Sequence, residues 1–249
     1  MPKITTVLFD LGSTLIYFDA DWNTVMLEAV HVLHRKLLAM GFDLDETFPL
    51  RYREISRENY RWRDEELVET PAPAVFRKVL AGYGFSELSD EQVREALAAL
   101  YAVSQAHWQA EDDALPTLRA LRQAGLRIGL VSNAGYDEDI QVLIDKAGLR
   151  ESLDFIVSSA ACGVRKPHPR IFELALDALR ADPRETMMVG DFLEADILGA
   201  NRLGMGSVWI TRRIDLAAAQ GARERIEPRH TIAALAELPA LIANWDGAR

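Results

Sequence analysis

Four short apolar runs in the sequence are each followed by polar side chains that could bind a phosphate group or a metal ion. Carboxylates, a lysine and a serine suit this chemistry, because Mg²⁺ prefers carboxylate, phosphate and water oxygens. Each residue alone could instead cap a helix or form an ion pair in a loop. Because polar residues follow all four strands, a phosphate or metal site is favoured. The residues that follow these runs are Asp10, Ser132, Asn133, Lys166, Asp191 and Asp196.

The apolar runs are typical of buried parallel strands, because helical patterns alternate with them along the chain. One helix is predicted over Pro169–Leu179, where proline occupies the first turn and apolar residues recur at helical spacing. In such sheets, ligands bind beyond the carboxyl ends of the strands, which brings the polar residues to one rim. The predicted strands are Ile4–Phe9, Arg127–Val131, Phe155–Val157, Thr186–Val189 and Ser207–Ile210.

A long helical stretch interrupts this alternation between Phe9 and Arg127, where no convincing strand is found. A strand–helix–strand crossover needs far fewer residues. We therefore expect an all-helical cap domain inserted into an α/β, Rossmann-like parallel sheet with helices on both faces. The expected core is 1–16 and 111–249, and the expected cap is 17–110. The predicted cap helices are Trp22–Met40, Phe48–Trp62, Ala74–Tyr83 and Asp90–His107.

Composition excludes several classes of partner. The 249 residues carry 28 Lys and Arg against 38 Asp and Glu, a net charge of −10, whereas nucleic-acid binding needs a basic surface. The chain has a single cysteine, no apolar run near the roughly 18 residues of a membrane span, and an N-terminus unlike a signal peptide. We expect a cytoplasmic protein with a small phosphorylated substrate and neither nucleic-acid nor membrane partners. Oligomeric state is not indicated.

Four segments together resemble the four motifs of the haloacid dehalogenase-like (HAD) hydrolase superfamily, in the same order. They are FDLGSTL (Phe9–Leu15), VSNA (Val131–Ala134), GVRKPHPRIF (Gly163–Phe172) and GDFLEAD (Gly190–Asp196). The helical insert resembles the α-helical cap of the first class in that superfamily. The stretch His230–Leu241 is similar to its last strand and final helix.

The resemblance implies a role for each candidate residue in a phosphatase. Asp10 would be the nucleophile and would form an aspartyl-phosphate, with a cation and a lysine to neutralise the repulsion between anions. Ser132, Asn133 and Lys166 would bind the transferring phosphoryl group. Asp10, Asp191 and the backbone carbonyl of Gly12 would hold Mg²⁺. Thr14 and Asp196 would support these groups from just outside, Asp196 either in the outer shell of the metal or by orienting Lys166.

Gly12 departs from the pattern of the family's phosphatases, which usually carry a second aspartate there as general acid and base. Such catalysis is typically worth 10²–10⁴-fold. Glycine leaves space that an aspartate would occupy. Either another group or a water replaces it, or the leaving group needs little acid, or the protein binds phosphorylated ligands with little turnover. Candidate replacements are Ser13, Asp19, Asp21, His31 and His34.

Other readings of the family are weaker. Metal-independent 2-haloacid dehalogenases replace the last acidic motif with a Ser/Asn-rich one, whereas GDFLEAD keeps its acids. Phosphonate-cleaving relatives need a cap lysine that forms a Schiff base, and we expect Lys36 and Lys78 to be solvated instead.

Arg53, Arg57 and Arg61 share one predicted helix face, which could bind an anionic or sugar-like leaving group. We favour a solvated face on which nearby glutamates pair with them.

Overall fold

The computed structural model describes residues 3–245, except for the side chain of residue 64. Its main element is a six-stranded parallel sheet with strand order β5-β4-β1-β6-β7-β8. The α/β fold is therefore confirmed, and β1 lies at the centre between β4 and β6. The strands of this sheet are β1 (Thr6–Phe9), β4 (Arg127–Ser132), β5 (Phe155–Ser158), β6 (Thr186–Gly190), β7 (Gly206–Ile210) and β8 (His230–Ile232).

The helices that follow these strands cover both faces of the sheet. Apolar side chains of β1 alternate between two clusters: Val7 and Phe9 face one, and Leu8 faces the other. Every residue of β1 and β6 is buried, as expected for parallel strands covered on both sides. The covering helices are α5 (Ala114–Gln123), α6 (Asp137–Lys146), α7 (Ser159–Cys162), α8 (Pro169–Leu179), α9 (Leu198–Arg202), α10 (Gln220–Arg223) and α11 (Leu238–Ala243).

Helix α8 begins and ends where the sequence predicts. Pro169 occupies its first position, where a missing N–H costs nothing, and His168 Nδ1 accepts a hydrogen bond of 3.1 Å from Arg170 N. After β6 the chain first forms a π-helical turn, Leu193–Ile197, and then continues into α9. Asp196 lies within this turn.

Four helices form the inserted segment and bury an apolar cluster of their own. Leu33 and Leu37 of α1 pack there with Phe48 of α2, Phe76 of α3 and Leu97 of α4. All four predicted helices are present, with ends shifted by one to four residues. Helix α2 runs four residues beyond Trp62 to Glu66, and the next residue, Leu67, has a left-handed backbone. The bounds are α1 (Trp22–Ala39), α2 (Phe48–Glu66), α3 (Ala72–Ala81) and α4 (Asp90–Gln105).

The expectation that no strand lies between Phe9 and Arg127 is wrong. Strand β2 (Ile16–Phe18) pairs antiparallel with β3 (Trp108–Ala110), so that a two-stranded ribbon joins both ends of the helical segment. Three residues are too few to show the alternation that identifies a strand in a sequence. The partner strand also lies on the far side of four helices, beyond any local turn signal.

Gly129 in β4 provides a test of core packing. A Cβ there would lie 2.7 Å from Leu8 Cδ2 and 2.9 Å from Leu179 Cδ1, so Gly129→Ala should overpack the core. Overpacking costs about 1–3 kcal/mol, which should lower the melting temperature by several degrees. Gly221→Ala is the matched control, because its Cβ meets nothing within 4 Å and alanine favours the helix. Equal melting temperatures for both variants would contradict this packing.

Candidate active site

The carboxyl ends of three neighbouring strands bring the predicted site residues together. Register pairs Phe9 of β1 with Leu130 of β4 and with Val189 of β6, so that the residues just beyond these positions share one rim. Asp10 follows β1, Ser132 is the last residue of β4, and Asp191 follows β6. All the predicted site residues except the buried Thr14 line one cavity at this rim.

Lys166 lies at the centre of the site with its ammonium group buried among acceptors. Its Nζ donates to Asp10 Oδ1 at 2.6 Å and to the Val131 carbonyl at 2.7 Å, and it lies 2.6 Å from Asp196 Oδ1. Burial alone would lower the pKa of Lys166, but the charges of Asp10 and Asp196 outweigh burial, and the pKa is raised. Lys166 is therefore a fixed cation beside the predicted nucleophile.

Asn133 holds the loop of Lys166 against the end of β4. Its Nδ2 donates to the Lys166 carbonyl at 3.0 Å, and its Oδ1 accepts from the Lys166 amide at 2.8 Å. The amide side chain therefore satisfies both backbone groups of Lys166. The sequence predicts that Asn133 binds the phosphoryl group directly. In the structure, its side chain forms hydrogen bonds with the backbone of Lys166 instead.

Three carboxylates converge beside this lysine. Oxygens of Asp10, Asp191 and Asp196 lie within 4.8 Å of one another. Burial, with the charges of Asp10 and Asp196, raises the pKa of Asp191 to about 8, and burial raises the pKa of Asp196 to about 6 against the opposing charge of Lys166. One ammonium against three carboxylates leaves an excess of negative charge. This donor set fits a hard divalent cation such as Mg²⁺.

Local backbone features place the carboxylates of Asp191 and Asp196. The amide of Phe192 donates to Asp196 Oδ2 at 3.0 Å, and a Cβ on Gly190 would overlap the Asp196 carboxylate, so that position requires glycine. Trp209 Nε1 donates to the Asp191 carbonyl at 2.7 Å and fixes that turn. The buried Thr14 hydroxyl has no hydrogen-bond partner among residues 3–245.

The space beside Gly12 admits a Cβ, as expected, and the ring of Trp108 lies at its edge. A Cβ at Gly12 would lie 3.4 Å from Cη2 of Trp108, whose ring in β3 also packs edge-on against Phe18 with centroids 5.2 Å apart. A Cβ at position 12 would therefore make an ordinary van der Waals contact with the indole, which borders the space open to a longer side chain. Gly12 and Trp108 are therefore sterically linked.

Most of the candidate replacements for the missing acid lie away from the cavity. Asp19 pairs with His107 Nδ1 at 3.1 Å, and Asp21 caps α1 by accepting from Thr24 N. His34 is buried and stacks on Phe48, and exposed His31 does not line the cavity either. Of the five candidates, Ser13 alone lines the cavity, with a left-handed backbone (φ 56°).

The cavity extends from the carboxylates into the helical segment and has a volume of about 720 Å³. Its far wall is rich in tyrosine, and the rings of Tyr101 and Tyr136 lie 5.0 Å apart. Arg53 and Arg57 of α2 also line it. The glutamate pairing expected for these arginines is wrong: among the ion pairs between described side chains, none involves either of them.

Two acidic residues near the site have no signature in the sequence. Glu69, in the loop between α2 and α3, is buried and contacts Ser159 and Arg165, which follow it by 90 and 96 residues. Asp139, in the first turn of α6, lines the cavity and accepts from Gln105 Nε2 at 2.8 Å. Acidic residues are common in loops and first turns, so sequence alone gives neither one a role.

The chain belongs to the haloacid dehalogenase-like hydrolase family, whose model matches residues 4–204. It is 30% identical to the glyceraldehyde 3-phosphate phosphatase of Methanopyrus kandleri over 227 residues, 91% of this chain and 89% of that protein. It is 29% identical to the ribulose-1,5-bisphosphate 5-phosphatase of Halopiger xanaduensis, covering 96% of this chain and 99% of that one.

Other similarities are partial or structural. The Bos taurus haloacid dehalogenase-like hydrolase domain-containing protein 3 is 35% identical over 135 residues, and the match spans about half (52%) of its length. A HAD phosphatase from Thermococcus onnurineus superposes with a TM-score of 0.64 at 26% identity, over 96% of this chain and 98% of that one. A 2-haloacid dehalogenase from Pseudomonas syringae superposes at 0.67 and 25% identity, over 98% and 100%.

No helix among the described residues is long and apolar enough to cross a membrane.

Asp139 predicts a dependence of stability on pH. Burial, opposed by the Gln105 hydrogen bond, raises its pKa from 3.8 to about 6. Between these values the folded protein binds more protons than the unfolded chain, so this contribution to stability falls as pH rises from about 4 to about 6. The full cost is about 3 kcal/mol at 1.36 kcal/mol per pKa unit. On the order of 2 kcal/mol of it is lost between these two pH values.

Asp139→Asn should remove this contribution. The free energy of unfolding should be measured in urea at about pH 4 and about pH 7. As pH rises, it should fall by on the order of 2 kcal/mol more in the wild type than in the variant. Glu138→Gln, at the exposed neighbouring position, is the control and should follow the wild type. Parallel pH profiles for wild type and Asp139→Asn would show that the carboxyl is not desolvated.

Proposed function

We propose that the protein is a Mg²⁺-dependent phosphomonoester hydrolase that acts through an aspartyl-phosphate on Asp10. The observation that carries this proposal is the contact of the buried Lys166 ammonium with Asp10, beside two further carboxylates. A carboxylate can attack an anionic phosphorus only where positive charge offsets the repulsion. The phosphatase names of relatives aligned over most of the chain support the same class of reaction.

Each side chain has a defined part in this mechanism. The Asp10 carboxylate, which needs no proton removed, forms a bond to phosphorus while the bond to the leaving oxygen breaks. Lys166 offsets charge on the phosphoryl group, and Ser132 donates its hydroxyl to it. The leaving oxygen takes a proton from solvent water. A second water then attacks phosphorus and gives a proton back to solvent, while the bond between phosphorus and Asp10 breaks and phosphate leaves. Asn133 keeps Lys166 in place through both backbone hydrogen bonds.

The residues that would hold Mg²⁺ are Asp10, Asp191 and the carbonyl of Gly12. A bound divalent cation polarises phosphoryl oxygens and neutralises developing charge. Asp196 contacts the Lys166 ammonium through Oδ1 and accepts from the Phe192 amide through Oδ2. Asp196 therefore orients the lysine in this proposal, and the buried Thr14 supports the site from outside the cavity.

Two other functions are less well supported. A metal-independent dehalogenase would have to bind the carboxylate of a haloacid beside Asp191 and Asp196, whose negative charges oppose it. A phospho-ligand-binding protein with little turnover would explain Gly12, yet a nucleophile already in contact with its activating lysine favours catalysis. The substrate panel below separates these possibilities.

The helical segment has the features of a cap over the site. We propose residues 17–110 as this cap and 1–16 with 111–249 as the core, with β2 and β3 crossing at the junction. Relatives are named for a triose phosphate and a sugar bisphosphate, so a small phosphorylated metabolite is the proposed substrate class. Arg53 and the tyrosines of the far wall would contact its leaving group.

A panel of phosphate esters tests the proposed function. Phosphate release should require Mg²⁺, stop on addition of EDTA and return with excess Mg²⁺. Asp10→Asn should abolish release, because an amide is a poor nucleophile, whereas Asp177→Asn on the exposed side of α8 should leave it unchanged. Release that is independent of metal, or a fully active Asp10→Asn protein, would reject the site. No release from any ester would favour the binding protein.

The steric link between Gly12 and Trp108 predicts a non-additive pair of variants. Gly12→Asp alone should gain less activity than it does beside a smaller residue at position 108, because the indole in contact with its Cβ restricts the carboxylate. Combined with Trp108→Ala, it should act on esters with poor leaving groups up to about 100-fold faster than Trp108→Ala alone, at the low end of general acid catalysis. An activated aryl phosphate should show no such gain. A full gain from Gly12→Asp in the presence of Trp108 would contradict this account.

A further inference from the structure

The loop between α2 and α3 lies directly on the two core loops that carry the proposed phosphate-binding residues. Three backbone hydrogen bonds join them: Glu69 N to the Gly163 carbonyl at 3.0 Å, Arg165 N to the Leu67 carbonyl at 3.0 Å, and Ala72 N to the Gly135 carbonyl at 2.6 Å. The helical segment is therefore connected to the core near the site as well as through β2 and β3.

At the centre of this contact lies the carboxylate of Glu69, which is fully enclosed. Its Oε1 accepts from Arg63 Nη1 at 3.0 Å, and its Oε2 accepts from Ser159 Oγ at 2.6 Å and from Arg165 Nη1. Burying a carboxylate is costly unless charged donors surround it. The arrangement therefore fixes Glu69 relative to groups from both the helical segment and the core.

The hydrogen bonds of Ser159 extend this contact to the end of β4. Its Oγ lies 2.6 Å from Glu69 Oε2 and 3.0 Å from the Ala134 carbonyl, while the Ala134 amide donates to it at 2.9 Å. A hydroxyl has one proton, and the charged, closer acceptor takes it. Ser159 thus donates to Glu69 and accepts from Ala134, the residue after Asn133.

The same carboxylate reaches the second core loop through Arg165, whose neighbour is Lys166. Glu69 is thus two hydrogen bonds from the Ala134 amide and one from the Arg165 side chain. Asn133 closes the ring, since it bonds both backbone groups of Lys166. Displacing Glu69 would leave Arg165 and the Ser159 hydroxyl without this partner and would loosen both loops together.

We infer that Glu69 is a positioning residue, supplied by the helical segment, which holds the Asn133 and Lys166 loops in the geometry that binds phosphate. This inference rests on the proposed function, because it gives these loops a phosphoryl group to bind. Docking of the α2–α3 loop and assembly of the phosphate site are then one event. If the helical segment moves away, phosphate binding weakens first. Asp10 stays in position longer, because β1 and Lys166 hold it.

The test compares Glu69→Gln with Glu66→Gln, the same chemical change at an exposed position in the same segment. The probes are p-nitrophenyl phosphate as substrate and inorganic phosphate with Mg²⁺ as ligand. Glu69→Gln should raise KM and the inhibition constant for phosphate by about tenfold or more, the effect of losing one charge-assisted hydrogen bond. Its kcat should change by less than about threefold, and Glu66→Gln should match the wild type.

Amide hydrogen exchange of the ligand-free protein gives a readout that does not need turnover. Glu69→Gln should speed exchange at Ala134 and at Arg165, with no change in β1 and β6. Ser159→Ala, a milder variant, should speed exchange at Ala134 and leave Arg165 protected. Melting temperatures identify a variant that is only unfolded, in which case Ser159→Ala decides.

The outcomes separate this inference from the proposed function. If the wild type hydrolyses no ester, the proposed function fails, and exchange in the two variants still decides the role of Glu69. If the wild type is active and Glu69→Gln folds with unchanged KM, phosphate inhibition and exchange, the inference is overturned. A fall in kcat alone, with phosphate binding intact, would also overturn it.

Discussion

The site depends on one buried ammonium group shared by two carboxylates. Lys166 Nζ contacts Asp10 and Asp196, and it also donates a hydrogen bond to the Val131 carbonyl. Breaking a buried pair of this kind is strongly destabilising, because it leaves an uncompensated charge. Several local features keep the lysine in place. One is Gly190, because the absence of a Cβ there makes room for the Asp196 carboxylate.

This charge balance is also the basis for the proposal that the site binds a divalent cation. Lys166 can offset only part of the charge of the three clustered carboxylates. Burial and the charges of Asp10 and Asp196 raise the pKa of Asp191, and Lys166 offsets these effects only in part. The acidic cluster, the lysine and the proposed metal requirement therefore share one electrostatic basis.

The sequence predicts the sheet and its rim well, because buried parallel strands and helix ends have local signals. Pro169–Leu179 matches a helix of the structure at both ends, and the residues after the strands line one cavity. The β2–β3 ribbon escaped prediction because its strands are three residues long and distant in sequence. Glu69 and the contact of Trp108 with Gly12 also depend on packing between distant segments, which no local pattern encodes.

The central claim is that the carboxylates around Lys166 bind one divalent cation, and calorimetric titration with Mg²⁺ tests it directly. The account predicts one Mg²⁺ per wild-type chain and no measurable binding to Asp191→Asn, while Asp177→Asn binds as the wild type does. Binding of Mg²⁺ by Asp191→Asn with unchanged affinity, or no binding by an active wild-type protein, would contradict it.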